Sequence, residues 1–423
     1  MLALLAAVMM VDSQSELPVG VIEPYSWGSN TIPVHGKGVP GTEVVDAAVI
    51  EAMRKDGIVG CGVCICKGDT ILYRKGFGYS ELPNQPFLPT TSTRCGSLAK
   101  SITSLCALVL MDKGLLKLDE KVLPILASIG IVPTPIDERV SQIRVRDLMD
   151  HTSGLPAGAT YTSWRPNRNL IEALKLDQKP TSKDVVLDAL STSKLLFEPG
   201  TSFEYANANY VILARIVEAK SKMSFNEYLT KVAMPKFGVA AGSIFVSKDQ
   251  ISPEDPARGI TEAAYYQTTT ERYESFLPED TARGKVFGEA YRGYSTECAD
   301  GAGGISISAD GLARIIANLD SRECSLSAQS VREILTPPAY YKRQKGFDPS
   351  RSGYYSKGLI VRYSGGQPWF SHGGMTQHCG GVIGYNAGYQ FAAVSNWNSV
   401  KAPNVDSMLD HALGQAVGKI VLR

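Results

Sequence analysis

Apolar positions change period several times along the chain, and each change marks an element. Val44, Val45, Ala48, Val49, Ala52 and Met53 recur at spacings of three and four, which predicts an amphipathic helix over 42–55. From residue 58 to 80 the pattern is that of two strands around Lys67-Gly68-Asp69, a hairpin signal. Residues 97–113 are apolar nearly all round, with Leu98, Ile102, Leu105, Leu108, Val109, Leu110 and Met111, so this helix should run through a core until Gly114 stops it. The Pro-, Gly- and Ser-rich residues 12–42 read as an irregular lead-in.

Helical periodicity dominates the middle, at 143–149, 181–190, 209–219 and 225–232, while 243–295 is rich in loops. Short helices are expected at 312–319 and 330–335. Strand signals return at 359–363, 369–371, 381–385 and 389–396, the last two joined by Asn386-Ala387-Gly388. Residues 405–422 form a closing amphipathic pattern. Strands at both ends and helices between them predict an α+β fold. Its antiparallel sheet would be built from both chain ends and flanked by helices, beside a mostly helical lobe. The expected division is a lead-in over 1–42 and one catalytic domain over 43–423, with about 120–300 as the helical lobe. A groove between the lobes is the natural place for a site.

Composition narrows the class. The 423 residues are 44% hydrophobic and 20% charged, enough to bury a large core. Lys and Arg number 43 against 42 Asp and Glu, so the basic excess of a nucleic-acid binder is missing. Residues 1–11 are apolar but too short to span a bilayer, and no later run is long enough. That first run is shaped like a secretion signal, although no basic residue precedes it and no clean cleavage site follows. Export to the periplasm or the exterior is expected over a cytoplasmic location. Eight cysteines are too sparse for a disulfide scaffold. Cys61-x-x-Cys64 lies in an apolar strand with no second Cys or His pair, so the thiols read as small buried hydrophobes. Neither a metal nor a cofactor is expected.

The strongest chemical signal is Ser97-Leu98-Ala99-Lys100 at the start of the buried helix. Three residues apart, hydroxyl and amine share a helix face. A serine hydroxyl needs a base, and a desolvated lysine loses its charge readily. The helix N-terminus adds free N–H groups for a developing oxyanion. A second S-x-x-K, Ser191 to Lys194, lies on a polar stretch and reads as surface. About a hundred residues after Ser97 comes Tyr205-Ala206-Asn207, and His372-Gly373-Gly374 stands on a late strand. There is no G-x-S-x-G, which argues against an α/β-hydrolase.

In that order the three motifs resemble the serine β-lactamase and penicillin-binding protein superfamily. The likeness is to its class C-like branch, with DD-peptidases, D-aminopeptidases and related carboxylesterases. Gly76-Phe77-Gly78-Tyr79, the Leu148–Pro156 stretch with His151-Thr152-Ser153-Gly154, Phe197-Glu198-Pro199-Gly200 and residues 302–310 fit the same pattern. The resemblance implies an acyl-enzyme mechanism on a small ester or amide, without cofactor. Ser97 would be the nucleophile, and Lys100 and Tyr205 would share its proton. Asn207 would bind a substrate amide or Lys100. His372 would face the Tyr205 hydroxyl, and Gly373 and Gly374 would let substrate lie against the strand. The backbone N–H groups of Ser97 and Met375 would form the oxyanion hole. His151 would shape a loop rather than react.

One departure matters. Glycine replaces the hydroxyl residue usual at the middle of the late K-T-G or H-T-G motif, a hydroxyl that helps hold a substrate carboxylate. An esterase or D-amino-acid peptidase-like activity is therefore expected. β-Lactamase or acyltransferase activity is the alternative, as is a penicillin-type sensor that is acylated without turnover. The substrate and the oligomeric state are not legible.

Overall fold

Nine consecutive residues from Ile58 to Cys66 are apolar or small, and a strand of that kind can be covered on both faces. In the computed structural model they do this as β2 (Ile58–Lys67), buried along its length up to Lys67. The structure describes residues 26–68, 70–158, 175–176, 179–250, 258–266, 273–274, 286–287, 291, 295–320, 325–349, 351–376, 378–386 and 391–399. The expected closing helix at 405–422 and the apolar run at 1–11 lie outside them.

Side chains of β2 alternate between two cores. Cys61, Val63 and Ile65 pack against Val45, Val49 and Met53 of α1 (Glu43–Asp56). Cys64 and Cys66 point into the larger core on the opposite face. Burial pushes the Cys61 thiol up, as a buried hydrophobe should behave. β2 pairs with β3 (Thr70–Glu81) on one side and with β11 (Phe391–Ser399) on the other. The sheet continues through β10 (Cys379–Asn386), β9 (Gln367–Met375), β8 (Leu359–Ser364) and β7 (Tyr354–Ser356), antiparallel throughout. Both chain ends thus build one sheet, the α+β architecture expected.

Two parts of this fold differ from the pattern-based reading. Within the supposed irregular lead-in, Val34–Gly38 is a strand, β1, paired with β3 at the sheet edge. Its Val-His-Gly-Lys-Gly sequence hides it, because an exposed edge strand with two glycines shows no apolar alternation. Gly36 is required there: a Cβ would lie 2.2 Å from Arg74 O. A second, three-stranded sheet is formed by β4 (Ser92–Arg94), β5 (Ile244–Val246) and β6 (Ile305–Ser308), with β6 in the middle. Strands of three or four residues are too short to display a period.

That small sheet carries a buried charge network. The Glu262 carboxylate accepts from Ser247 Oγ at 2.6 Å, Tyr265 Oη at 2.7 Å, Ser306 Oγ at 2.8 Å and Gln250 Nε2 at 2.9 Å. Arg94 lies 3.6 Å away, and its Nε donates to Ser247 Oγ at 3.0 Å. Every lone pair used this way reduces the penalty of burying the charge. The network anchors β4, the strand that leads directly into Ser97.

The large core is filled by helices. α2 (Ala99–Asp112) is buried over its first twelve residues and packs against α5 (Asn207–Ser221), itself nearly all buried. The shorter α3 (Val145–Met149) and α4 (Ser182–Thr192) lie against α5, and α6 (Ala309–Asp320) covers β2. Among the described residues no helix is long and apolar enough to cross a membrane.

A buried ion pair ties the helical part to the sheet. Lys357 Nζ reaches both oxygens of Asp150, at 2.9 and 2.8 Å, with the side chains 2% and 5% exposed. Removing one partner strands the other charge in the core. Lys357→Met should therefore destabilise the fold by about 3–5 kcal/mol. Urea unfolding monitored by tryptophan fluorescence would read this, and an unchanged midpoint would refute it.

Candidate active site

Ser97 sits in a single tight turn, Gly96–Leu98, that leads into α2. Gly96 is left-handed at φ +54°, and a Cβ there would come within 2.5 Å of Met375 N. A Cβ on Gly374 would lie 2.3 Å from Leu98 N and 2.4 Å from Ser97 N. No side chain fits at either place, so the end of β9 touches the Ser97 turn only because both residues are glycine. This approach brings the backbone amides of Ser97 and Met375 into the same neighbourhood.

Lys100 lies one turn into the helix and is fully buried. Its Nζ donates to Ser97 Oγ at 3.0 Å and to Ala302 O at 2.8 Å, and it stands 4.8 Å from the centre of the Tyr205 ring. Burial pushes the amine down to about 7, so an uncharged fraction exists at neutral pH. Tyr205 is hydrogen-bonded to the Ser97 side chain, and burial pushes its phenol up to about 12. The phenol keeps its hydrogen while the amine can give one up. Ser97, Lys100 and Tyr205 therefore meet around one hydroxyl, on a serine that is half-exposed like Tyr205, while Lys100 is buried.

Tyr205-Ala206-Asn207 is held by the stretch around His151. His151 is left-handed, at φ +56°, and fully buried. Its carbonyl accepts from Glu204 N at 2.9 Å, and its Nδ1 accepts from Ala206 N at 3.2 Å. Asn209 Nδ2, a second donor, is 3.0 Å from the same nitrogen. Nδ1 must therefore be the unprotonated one, and burial pushes the imidazole well below its usual range. The ring lies tilted at 37° with its centre 4.3 Å from that of Tyr205. A neutral histidine held through its Nδ1 shapes the loop and places the phenol.

The match to the family model named Beta-lactamase covers residues 45–416. The chain belongs to the beta-lactamase family. Penicillin-binding protein 4* of Bacillus subtilis (strain 168) is 31% identical over 182 residues, 41% of this chain and 35% of that protein. The match thus spans about a third of the curated relative's length. Among solved structures, EstCE1, described as a hydrolase with promiscuous acyltransferase activity, superposes with a TM-score of 0.63 at 17% identity, over 90% of this chain and 98% of that one. A β-lactamase/D-alanine carboxypeptidase from Yersinia pestis gives 0.64 at 16% identity, over 90% and 99%. At these identities the superpositions establish the β-lactamase-like fold.

Within this member of the family, Asn207 is the first residue of α5 and half-buried, one residue beyond the Tyr205 loop. The hydrogen bonds of the Lys100 amine go to Ser97 and Ala302 instead. His372 differs from expectation. Its Nε2 lies 3.3 Å from the Tyr355 hydroxyl and its Nδ1 2.5 Å from Gly373 O, in place of the expected Tyr205 contact. A buried phenol from β7, two strands away across β8, takes the place that Tyr205, held on Ser97, would have filled. Burial, reinforced by the nearby Lys100, pushes His372 down to about 4. Two participants escaped the sequence reading. Ala302 acts through its backbone carbonyl, which no residue type signals. Tyr355 follows Tyr354 in an unremarkable strand, and only the fold distinguishes them. The second S-x-x-K is peripheral, with Lys194 exposed.

Proposed function

We propose that this chain is a serine hydrolase that forms an acyl-enzyme on ester or amide substrates. The observation that carries the reading is a fully buried amine 3.0 Å from a half-exposed serine hydroxyl. A substrate carbonyl enters between the Ser97 and Met375 amides. Ser97 Oγ attacks as uncharged Lys100 takes its proton, and the oxyanion is received by the two N–H groups. Tyr205, protonated and bonded to Ser97, hands its hydrogen to the leaving alcohol or amine and regains one from the Lys100 ammonium. Water then follows the reverse route and frees the acid.

The substrate class follows from position 373. With glycine there, no side-chain hydroxyl stands beside His372 to hold a substrate carboxylate, and His372 itself is uncharged at neutral pH. Small neutral esters fit such a strand better than carboxylate-bearing β-lactams, and an alcohol can replace water as acyl acceptor. EstCE1, a hydrolase with promiscuous acyltransferase activity, and the Yersinia pestis β-lactamase/D-alanine carboxypeptidase show that this fold carries both kinds of chemistry. A panel of p-nitrophenyl esters of graded chain length, nitrocefin, and D- and L-alanine p-nitroanilides decides it. Short esters should give the highest kcat/KM. Nitrocefin turned over more efficiently than every ester would contradict the assignment.

A further inference from the structure

The hydrogen bonds around His372 account for its protons one by one. Gly373 O can only accept, so Nδ1, 2.5 Å from it, carries a hydrogen. The other nitrogen meets the Tyr355 hydroxyl at 3.3 Å. Tyr355 has a second hydroxyl neighbour, that of Tyr210. Tyr210 gives its own hydrogen to Met149 O at 2.7 Å, so towards Ser104, 3.3 Å away, and towards Tyr355 it offers lone pairs. Tyr355 thus has one hydrogen and two acceptors. Given to Nε2, that hydrogen leaves the imidazole neutral. Given to Tyr210, it requires a hydrogen on Nε2 and a positive ring.

The surroundings choose between these arrangements. The Lys100 amine opposes a second positive charge at His372, and His151, neutral itself, lies near enough to feel it. Asp150, the carboxylate acting on Tyr355 and Tyr210, is already neutralised by Lys357. The rings of His151, Phe203 and Tyr205 pack 4.9 to 6.1 Å from that of Tyr355. We propose that Tyr355 is a positioning residue: its phenol donates to Nε2 and holds His372 as the neutral Nδ1–H tautomer. That tautomer clamps the Gly373 carbonyl, one residue before the glycine that touches the Ser97 turn and two before the Met375 amide. Tyr355 acts through His372 on the oxyanion site, so its kinetic role rests on the acyl-enzyme reading above.

Histidine-selective 15N labelling of the full chain tests this. The five histidines are few enough to resolve, and His372→Gln identifies the signal. Two-bond 15N–1H correlations at pH 7 should show a protonated Nδ1 and an unprotonated Nε2. Tyr355→Phe keeps the ring packing and removes only the donor. Its His372 Nε2 signal should shift, and kcat for a short ester should fall about tenfold while KM stays within about twofold. A wild-type His372 that is cationic or carries its hydrogen on Nε2 overturns the proposal. So does a Phe variant whose His372 signals and kcat both match wild type. The tautomer is read without turnover, so a failure of the serine reading is separable from a failure of this one.

Discussion

Ser97→Ala should lose ester hydrolysis almost completely, with kcat falling on the order of 10⁴- to 10⁶-fold, as for other serine nucleophiles. Lys100, Tyr205 and the backbone of Met375 all converge on this one hydroxyl, and nothing else on the Gly96–Leu98 turn can form an ester. The small remainder would come from binding and the oxyanion amides. The hydroxyl is half-exposed, so its removal leaves no cavity, and the melting temperature should stay within a few degrees. Steady-state release of p-nitrophenol from the acetate ester, corrected for background, measures the loss. Activity within about tenfold of wild type would rule Ser97 out.

Lys100→Met should lower kcat/KM by about 10²- to 10⁴-fold, the range for loss of a positioned general base. Methionine keeps the length and apolar stem, so the hole is filled while the base is gone. The wild-type pH profile carries a matching signature. Burial lowers the amine to about 7, and only its uncharged form can accept the serine proton. The kcat/KM value should therefore rise with pH up to about 7 and then level, and the variant should lack that limb.

Stability moves the other way. An amine lowered in the folded state to about 7 from its ordinary 10.5 binds fewer protons there than in the unfolded chain over that window. Its contribution to stability thus rises with pH between those values, and at neutral pH its burial is unfavourable. Lys100→Met should melt no lower than wild type at pH 7. An inactive variant that has also lost much of its thermal stability would mean that the amine's role is structural. A flat wild-type profile between pH 5 and 8 would remove Lys100 as the base.

The long elements were legible because each repeats an apolar period often enough to be read. α2 shows it in the run from Leu98 to Leu110, and the β2–β3 hairpin in the apolar residues around Lys67-Gly68. Ser97 and Lys100 were legible for a related reason, since a spacing of three on a helix already implies contact. What stayed hidden depends on distant chain segments meeting. Arg94 and Glu262 look like ordinary surface charges until β4 and the 258–266 segment enclose them. Gly96 and Gly374 are two of forty glycines, and only their mutual approach reveals why neither can carry a side chain. The family resemblance implies that His372 faces the Tyr205 hydroxyl. The fold supplies Tyr355 instead, because β7 lies two strands from β9 across β8.

Trapping the acyl-enzyme tests the central claim most directly. The protein would be mixed with excess p-nitrophenyl ester, quenched in acid within seconds, and its intact and peptide masses measured. One acyl group on the peptide containing Ser97, absent from Ser97→Ala, is the predicted result. Sustained ester hydrolysis with no adduct at any quench time, or an adduct on a different residue that persists in Ser97→Ala, would contradict it.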